Sequence, residues 1–214
     1  PFHKPDFPIL YVEAHYHTDI TPFIKKHMAT FKQFQHVTLV ASVQHLHQIP
    51  LVKKLFEQEG IKVIVPGGKG RAFHEGQVLG CEYTGAKIIE KNIDVYVALS
   101  NQFHSLGLVL STTKKVLLVD PVHKEIKDLQ QLRNKIILQR AKIIEQAKKA
   151  QTFGVLLSLK SGQINTIAAE HIKKKLLKHK KEVVMITMRE FQTQELLNFG
   201  NIDAFVDTAC PRVD

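Results

Sequence analysis

The chain has 214 residues, of which 44% are hydrophobic and 23% charged, a composition typical of a folded globular protein with a substantial apolar core. No apolar run approaches the roughly 18 residues that cross a bilayer, and no basic-then-apolar signal segment opens the chain, so we expect a cytoplasmic protein with no membrane partner. The formal charge of +10 comes mostly from lysines on predicted helix surfaces, and without Trp to stack bases we expect no direct nucleic-acid partner, although a basic face for an acidic macromolecule stays open.

The first part of the chain alternates short apolar runs with helical patterns, which indicates a parallel α/β sheet. Strands are predicted over Ile9–Glu13, Val37–Ala41, Lys62–Val65, Asp94–Leu99 and Val116–Asp120. Helices are predicted over Pro22–Phe34, Pro50–Glu59 and Val78–Glu90. We interpret residues 1–127 as one α/β domain.

A helical pattern without turn residues covers Asp128 to Ala150, with apolar residues at steps of three and four. We interpret residues 128–150 as a connecting helix. A second unit over residues 151–214 follows, and its elements are predicted as strand Phe153–Leu159, helix Ile164–His179, strand Glu182–Met188, a short helix near Phe191–Phe199 and strand Ala204–Asp207. Three strands are few for a sheet, so we expect this domain to be truncated.

The two units share a short sequence pattern. Asn92-Ile93-Asp94-Val95-Tyr96-Val97 in the first resembles Asn201-Ile202-Asp203-Ala204-Phe205-Val206 in the second. Each segment reads as a helix exit, an aspartate and a buried strand with a central aromatic residue. The pattern predicts two copies of one ancestral domain.

The segments that follow the predicted strands carry the candidate chemistry, because ligands of open parallel sheets bind beyond the carboxyl ends of the strands. These segments are Pro66–Arg71, Glu75–Cys81, Asn101–Gly107, Lys160–Gln163 and Thr208–Arg212. Their glycines allow close approach of a ligand to the backbone. The glycines of Pro66–Arg71 are equally consistent with a plain turn, since this loop lacks the spacing of a phosphate-binding fingerprint.

Cys81 and Cys210 are the only two cysteines, and a disulfide between them is not expected in a reducing compartment. Cys210 is followed by Pro211, which stiffens the loop, and by Arg212, whose charge favours a thiolate or binds a carboxylate. Residue chemistry alone leaves two alternatives open for each cysteine, a small buried thiol or a metal ligand.

Histidine is abundant, with twelve residues, but the pairs His15/His17 and His45/His47 do not have the spacing of a zinc site. His104 is a candidate site residue because it lies at a predicted strand end near Gly107. An imidazole that simply binds a loop carbonyl is equally consistent with this position.

Two segments around the cysteines resemble the second and third cysteine motifs of the diphthamide synthase family, Gly76-Gln77-Val78-Leu79-Gly80-Cys81 and Thr208-Ala209-Cys210-Pro211-Arg212. Further matches occur in order along the chain at Gln44-His45, Phe103-His104 with Leu106-Gly107, and Ser161-Gly162-Gln163. The family's first cysteine motif is absent, Ser105 stands where the family usually has Pro, and Ser161 replaces a residue that is often Lys. We therefore expect the third cysteine to lie upstream of Pro1, and this fragment to be inactive alone.

The resemblance implies a fold of Rossmann-like domains, of which this chain would hold two of three, with parallel sheets flanked by helices. It implies a radical enzyme in which Cys81 and Cys210 are ligands of a 4Fe–4S cluster. The enzyme would transfer the 3-amino-3-carboxypropyl group of S-adenosylmethionine to a histidine of translation elongation factor 2. It also implies a homodimer or paralogous heterodimer that receives its electron from a donor protein.

By inference from their loop positions, six residues are expected to line the cofactor crevice: Gln77, Gly80, His104, Gly162, Gln163 and Arg212. Arg212 is the candidate partner of the methionine carboxylate, because its planar fork matches a carboxylate. Two other functions stay open, a nucleotide- or sugar-binding Rossmann-like module and a scaffold subunit of the same synthase that does not catalyse.

Overall fold

The structure is a computed structural model that describes residues 8–10, 12–160 and 163–209. The described residues divide into two compact units. Residues 12–137 form the first, and residues 138–209 together with residues 8–10 form the second. Both units are α/β sheets flanked by helices, as predicted, and their strands are mostly parallel. Within the described residues, no helix is both long enough and apolar enough to cross a membrane.

The first unit contains a five-stranded sheet in the order β2-β1-β3-β4-β5. Its strands are β1 (His36–Ala41), β2 (Lys62–Ile64), β3 (Val95–Leu99), β4 (Lys115–Asp120) and β5 (Glu125–Asp128). Its helices are α1 (Thr21–Lys26), α2 (Ile49–Gln58), α3 (Thr84–Ile88) and α4 (Gln102–Ser111), with 3-10 turns at Met28–Thr30, Val43–Gln48 and Glu90–Asn92. Strands β1 to β4 are parallel, and β5 pairs with β4 in the antiparallel direction.

The central strands are buried on both faces, which explains why they read as unbroken apolar runs rather than alternating patterns. In β1, Val37 and Leu39 pack with Phe31 and Phe56 on one face of the sheet. Val40 faces the other side and packs in the second core cluster. Both faces of the central strands are therefore covered, and the loops at the strand ends are the part of this sheet in which the sequence predicts a site.

Helix α5 (Gln130–Ala147) follows the first sheet and confirms the predicted long helix. Every one of its residues is half-buried or exposed. At its start, Arg133 Nε donates a 3.0 Å hydrogen bond to the Val109 carbonyl, and Leu132 packs against the core cluster of α4. The unit boundary lies inside this helix.

The second unit contains a parallel sheet in the order β7-β6-β8. Its described elements are β6 (Thr152–Ser158), α6 (Thr166–Lys178), β7 (Glu182–Met188), α7 (Thr193–Leu196) and β8 (Ala204–Asp207). A small core forms where Ala169 of α6 packs on Val155 and Leu157 of β6. The described part of this unit has the three strands that the sequence predicts.

Asp94 closes the amino edge of the first sheet. Its Oδ2 accepts hydrogen bonds from the backbone amides of Gln35 and His36 at 2.9 and 2.8 Å. Its own amide donates to the His36 carbonyl at 2.8 Å. The carboxylate thereby joins β3 to the start of the neighbouring strand β1.

Asp203 makes the same set of contacts in the second unit. Its Oδ2 accepts from the amides of Gln151 and Thr152 at 2.8 and 2.9 Å, and its amide donates to the Thr152 carbonyl at 3.0 Å. The predicted repeat of the Asn-Ile-Asp pattern therefore corresponds to a repeated hydrogen-bonded structure, with β6 and β8 in the places of β1 and β3.

Two predicted elements are wrong. Residues 9, 10, 12 and 13 of the predicted strand Ile9–Glu13 form neither strand nor helix, and Leu10 and Val12 are exposed. The predicted helix Val78–Glu90 is helical only over Thr84–Ile88. Its first residues are extended or turned because the backbone around Gln77 pairs with the end of β1.

Other elements are shorter than predicted or were not predicted at all. The predicted helix Pro22–Phe34 is divided into α1 and a 3-10 turn over Met28–Thr30. Helix α4 occupies the segment that the sequence analysis took as a loop after β3. The edge strand β5 was also missed, because its four residues Glu125–Asp128 are mostly charged and exposed.

Candidate metal centre

The loop that carries Cys81 is attached to the carboxyl end of β1. The Ala41 amide donates to the Gly76 carbonyl at 2.8 Å, and the Val78 amide donates to the Ala41 carbonyl at 2.9 Å. Gln77 therefore lies parallel to Ala41, beyond the point where β2 ends at Ile64. This pairing extends the sheet by one short segment and fixes where the following residues begin.

Two four-residue turns, one before Gln77 in the chain and one after it, face each other. The first is Lys69–Ala72, closed by the Ala72 amide and the Lys69 carbonyl at 3.1 Å. The second is Leu79–Glu82, closed by the Leu79 amide and the Glu82 carbonyl at 3.2 Å. Arg71 and Cys81 are each the third residue of their turn. We call Lys69–Ala72 the arginine turn and Leu79–Glu82 the cysteine turn.

Arg71 and Cys81 are in direct contact across these turns. Nη2 of Arg71 donates a hydrogen bond to Sγ of Cys81 at 3.0 Å. The Cys81 thiol is exposed and forms no disulfide. Cysteine sulfurs are the usual ligands of iron–sulfur clusters. The alternative of a buried thiol does not apply to Cys81, because its side chain is exposed.

Glu82 holds the two turns together. Its carboxylate accepts the Thr84 amide at 3.0 Å and the Arg71 amide at 3.4 Å. Partial burial opposes ionisation, but the hydrogen bonds from Thr84 and Arg71 outweigh it and keep the pKa of Glu82 below its usual value. Gly70 has a φ of +64°, and a Cβ at this position would run into the Glu82 carboxylate, so the arginine turn requires glycine there.

Helix α4 supports the cysteine turn from the carboxyl end of β3. Asn101 caps the helix, and its Oδ1 accepts both the amide of His104 at 3.2 Å and Nδ1 of the His104 ring at 2.9 Å. The Tyr83 hydroxyl donates to the His104 carbonyl at 3.1 Å. A Cβ on Gly80 would overlap the ring of Phe103. His104 and Gly80 thus lie in one packed region, next to Cys81.

Gln77, which we predicted to line the crevice, is half-buried, and its Oε1 accepts the His74 amide at 3.0 Å. This contact stabilises the loop itself. In the second unit, the Gln163 amide donates to the Lys160 carbonyl at 3.0 Å, and its Oε1 accepts the Ser158 hydroxyl at 3.4 Å. Gly162, Cys210 and Arg212 lie outside the described residues, as does Ser161.

The chain just before Cys210 is anchored to the sheet. Both the amide and the hydroxyl of Thr208 donate to the Leu156 carbonyl, at 3.1 and 2.7 Å. The Ala209 amide donates to Asp207 Oδ1 at 2.8 Å. Residue 209 therefore lies directly past the carboxyl end of β8, which is the edge where the sequence analysis expected a ligand.

Arg71, Glu82 and the buried His45 were not predicted as site residues from the sequence. Burial lowers the pKa of His45 to about 4, against the opposing effect of Asp120, so the ring is neutral at physiological pH. His45 Nδ1 and the nearby Ser42 Oγ are buried and have no hydrogen-bond partner among the described residues. The motif Gln44-His45 was a sufficient signal for His45. Position 71 in a glycine-rich loop was the available signal for Arg71.

In the described ranges, 8–10, 12–160 and 163–209, no group of three His, Cys, Asp or Glu side chains is arranged to hold a metal ion. The rings of His15 and His47 stack at 5.1 Å between centroids, and His17 lies beside His47 at 6.1 Å. Cys81 is therefore the candidate ligand that the described structure itself supplies.

The two mostly parallel sheets flanked by helices, with the cysteine loop at a carboxyl edge, define a protein of the α/β class. Residues 2–214 match the family described as "Putative diphthamide synthesis protein". The chain belongs to this family.

Two named proteins are similar to the chain in sequence. The chain is 34% identical over 209 residues to the 2-(3-amino-3-carboxypropyl)histidine synthase of Pyrococcus horikoshii, covering 97% of this chain and 60% of the relative. It is 28% identical over 188 residues to subunit 1 of the same synthase from Saccharomyces cerevisiae, covering 87% of this chain and 42% of the relative. The chain thus spans between two fifths and three fifths of the length of these two relatives.

Two solved structures are similar to the fold. The crystal structure of Dph2 from Pyrococcus horikoshii matches with a TM-score of 0.84 and 33% identity, over 93% of this chain and 57% of that chain. The structure of the same protein with a 4Fe-4S cluster also matches with a TM-score of 0.84, over 93% of this chain and 58% of that chain.

Proposed function

We propose that this chain forms two domains of a 2-(3-amino-3-carboxypropyl)histidine synthase, the transferase of the first step of diphthamide biosynthesis. The observation that carries the proposal is the exposed thiol of Cys81, held on a tight turn against Arg71 in a chain that is 33% identical to a cluster-bearing Dph2. Residues 1–127 and 151–214 would be the two domains, with residues 128–150 as the connector.

The residues present fit an iron–sulfur cluster. Cys81 offers a soft sulfur ligand beside a positive charge, and Cys210 follows a segment that Thr208 anchors to the sheet edge. We propose both as cluster ligands. Since the chain has only these two cysteines, a third thiolate would come from outside the 214 residues. When bound, the cluster would supply the electron for cleavage of a carbon–sulfur bond in S-adenosylmethionine.

The other proposed site residues have two kinds of role. In the first unit, Gln77 and Gly80 shape the loop, and His104 lies in the first turn of the supporting helix. In the second unit, Gly162, Gln163 and Arg212 are proposed to line the cofactor crevice. We propose Arg212 as the partner of the methionine carboxylate, because a guanidinium and a carboxylate form a bidentate pair.

The acceptor of the transferred group would be a histidine of translation elongation factor 2, which places the reaction in the cytoplasm. The net charge of +10 favours docking to an acidic partner. We further propose a dimer, either of identical or of paralogous chains, and an electron donor protein. The 214-residue fragment alone would be inactive, because it lacks one ligand.

Anaerobic reconstitution of the full-length protein with iron and sulfide tests the proposal. We expect a brown protein with sulfur-to-iron charge-transfer absorbance, and loss of this absorbance in Cys81→Ser and in Cys210→Ser. Lys69→Ala, in the arginine turn, is the matched control and should keep the colour. A colourless protein that binds nucleotides or sugars would instead support the binding-module alternative.

A second measurement separates a catalyst from a scaffold subunit. The reconstituted and reduced full-length protein is incubated with S-adenosylmethionine, and the release of 5′-methylthioadenosine is followed. We expect release that depends on the reductant. A loaded protein that releases none, alone or with elongation factor 2, would support the scaffold role.

A further inference from the structure

We infer that Arg71 is a positioning residue that donates a hydrogen bond to the ligand sulfur of Cys81 and raises the reduction potential of the cluster held there. This inference rests on the proposed function and adds a residue to it. It follows from the 3.0 Å contact between Nη2 and Sγ and from the way the two turns are built.

The backbone holds Arg71 in place before its side chain makes any contact. The arginine turn is closed by its own hydrogen bond and attached through the Arg71 amide to the Glu82 carboxylate. Glu82 is the residue directly after Cys81, so one carboxylate sets the distance between the two turns. The backbone of Arg71 is therefore held beside the cysteine turn, and its side chain spans the remaining distance to the sulfur.

The Arg71 guanidinium donates its hydrogen bond to the Cys81 sulfur and not to a carboxylate. Among the described residues, no carboxylate lies within ion-pair distance of Arg71, although Glu82 is close in sequence to its partner. An exposed arginine ordinarily pairs with a carboxylate or points into solvent. Here the guanidinium donates its hydrogen bond to Sγ of Cys81, and the residue is half-buried.

The consequence for a bound cluster is electrostatic. Reduction adds one negative charge, part of which resides on the ligand sulfurs. An N–H donor and a positive charge next to one of those sulfurs stabilise the reduced state more than the oxidised state. Hydrogen bonds to the sulfurs and local charge are two of the factors that set iron–sulfur potentials.

Arginine suits this role better than lysine. Its planar fork keeps a fixed direction, and its donors stay charged at any pH at which the protein folds. A lysine at the same position would retain the charge, but it would replace the directed N–H of the guanidinium by a hydrated ammonium. The two substitutions Arg71→Gln and Arg71→Lys therefore separate loss of charge from loss of direction.

The test is a potentiometric titration of the full-length protein, reconstituted anaerobically, with the reduced cluster followed by electron paramagnetic resonance. We expect the reduction equilibrium of Arg71→Gln to shift about tenfold toward the oxidised form, which is about 59 mV for one electron. Arg71→Lys should shift less. Lys69→Gln, which removes the same charge from the same turn, is the matched control and should shift least.

Each other outcome has a definite meaning. An unchanged potential in Arg71→Gln, or an equal shift in Lys69→Gln, would overturn the inference while leaving the proposed function intact. A drop in S-adenosylmethionine affinity at constant potential would assign Arg71 to the substrate carboxylate and overturn it too. Failure of the unsubstituted protein to assemble a cluster would overturn both proposals. If Arg71→Gln alone assembles no cluster, the Arg71→Lys titration decides.

Discussion

Arg71 and Cys81 occupy the same position in two facing turns, and Nη2 of the first lies 3.0 Å from Sγ of the second. Neither turn makes this contact possible alone, because the carboxylate of Glu82 connects them. A residue ten positions from the cysteine in sequence thereby becomes part of its immediate environment.

Replacing Cys81 by serine should leave the fold unchanged. The side chain is exposed and makes one hydrogen bond, so we expect the free energy of unfolding to change by less than about 0.5 kcal/mol. Urea denaturation of the unloaded protein measures this. A loss of several kcal/mol would mean that the absence of a cluster in this variant cannot be attributed to the missing ligand.

Gly107→Ala should weaken the support of the cysteine turn. A Cβ at position 107 would overlap the Tyr83 hydroxyl and lie 2.9 Å from the Gly80 carbonyl oxygen. We expect the free energy of unfolding to fall by about 1 to 3 kcal/mol, the usual cost of overpacking. The cost should be smaller in a Tyr83→Phe background, where the hydroxyl is gone.

Gly67→Ala is the control for this substitution, because a Cβ at position 67 has no atom within 4 Å. Chemical denaturation of the four proteins and the parent gives the comparison. Equal costs at positions 67 and 107 would contradict the contact between Tyr83 and Gly107.

Because His45 is buried and neutral, we expect the free energy of unfolding to fall on mild acidification. Burial lowers the pKa of its ring to about 4, whereas the unfolded chain binds the proton near 6.5. Between these two values the unfolded state binds more protons than the folded state. Stability should therefore fall as the pH decreases from about 6.5 to about 4, by on the order of 3 kcal/mol from this residue.

The ring resonances of His45 in a nuclear magnetic resonance titration provide the measurement. They should show no protonation above about pH 5. His45→Gln should flatten the dependence of the unfolding free energy on pH in the same range, and His171→Gln, on the exposed surface of α6, should not. A His45 midpoint near its ordinary value would contradict the buried neutral ring.

Because of Asp94, we expect a second and smaller dependence of the free energy of unfolding on pH, at lower pH. The amide of His36, then that of Gln35, holds the pKa of Asp94 below its usual value. The resulting stability is fully present above the unfolded pKa of about 3.9 and is lost as the pH falls through the lowered folded-state pKa. Because the carboxylate is 44% exposed, we expect less than about 1 kcal/mol.

Urea denaturation of Asp94→Asn against the parent tests this. The difference in unfolding free energy should be constant from neutral pH to about pH 5 and narrow below about pH 4. Glu145→Gln, an exposed carboxylate on α5, serves as the control. A difference that does not narrow in acid would show that the Asp94 contacts do not depend on its charge.

The central strands were predictable because burial on both faces leaves a continuous apolar run. The predicted range Val37–Ala41 differs from β1 by one residue. The cysteine loop was not predictable in the same way. Val78 and the residues after it have helical spacing, but the pairing of Gln77 with Ala41 is a long-range contact that no local pattern contains.

Helix α4 was missed although a local signal existed. Asn101 is a good N-cap, and its side chain accepts the His104 amide. The segment Asn101–Gly107 was interpreted as a loop because it directly follows a predicted strand and contains Gly107. The contact of Arg71 with Cys81 had no local signal at all, because it depends on two turns meeting in space.

Asp94 and Asp203 lie at the amino edge of their sheets, at the ends of the strands opposite to those that carry the cysteine segments. The hydrogen bonds that stabilise each sheet at its amino edge are therefore separated from the segments that carry the candidate chemistry, so the two edges can vary in sequence independently. In a mutational scan, substitutions at the amino edge should change protein abundance, and those at the carboxyl edge should change specific activity.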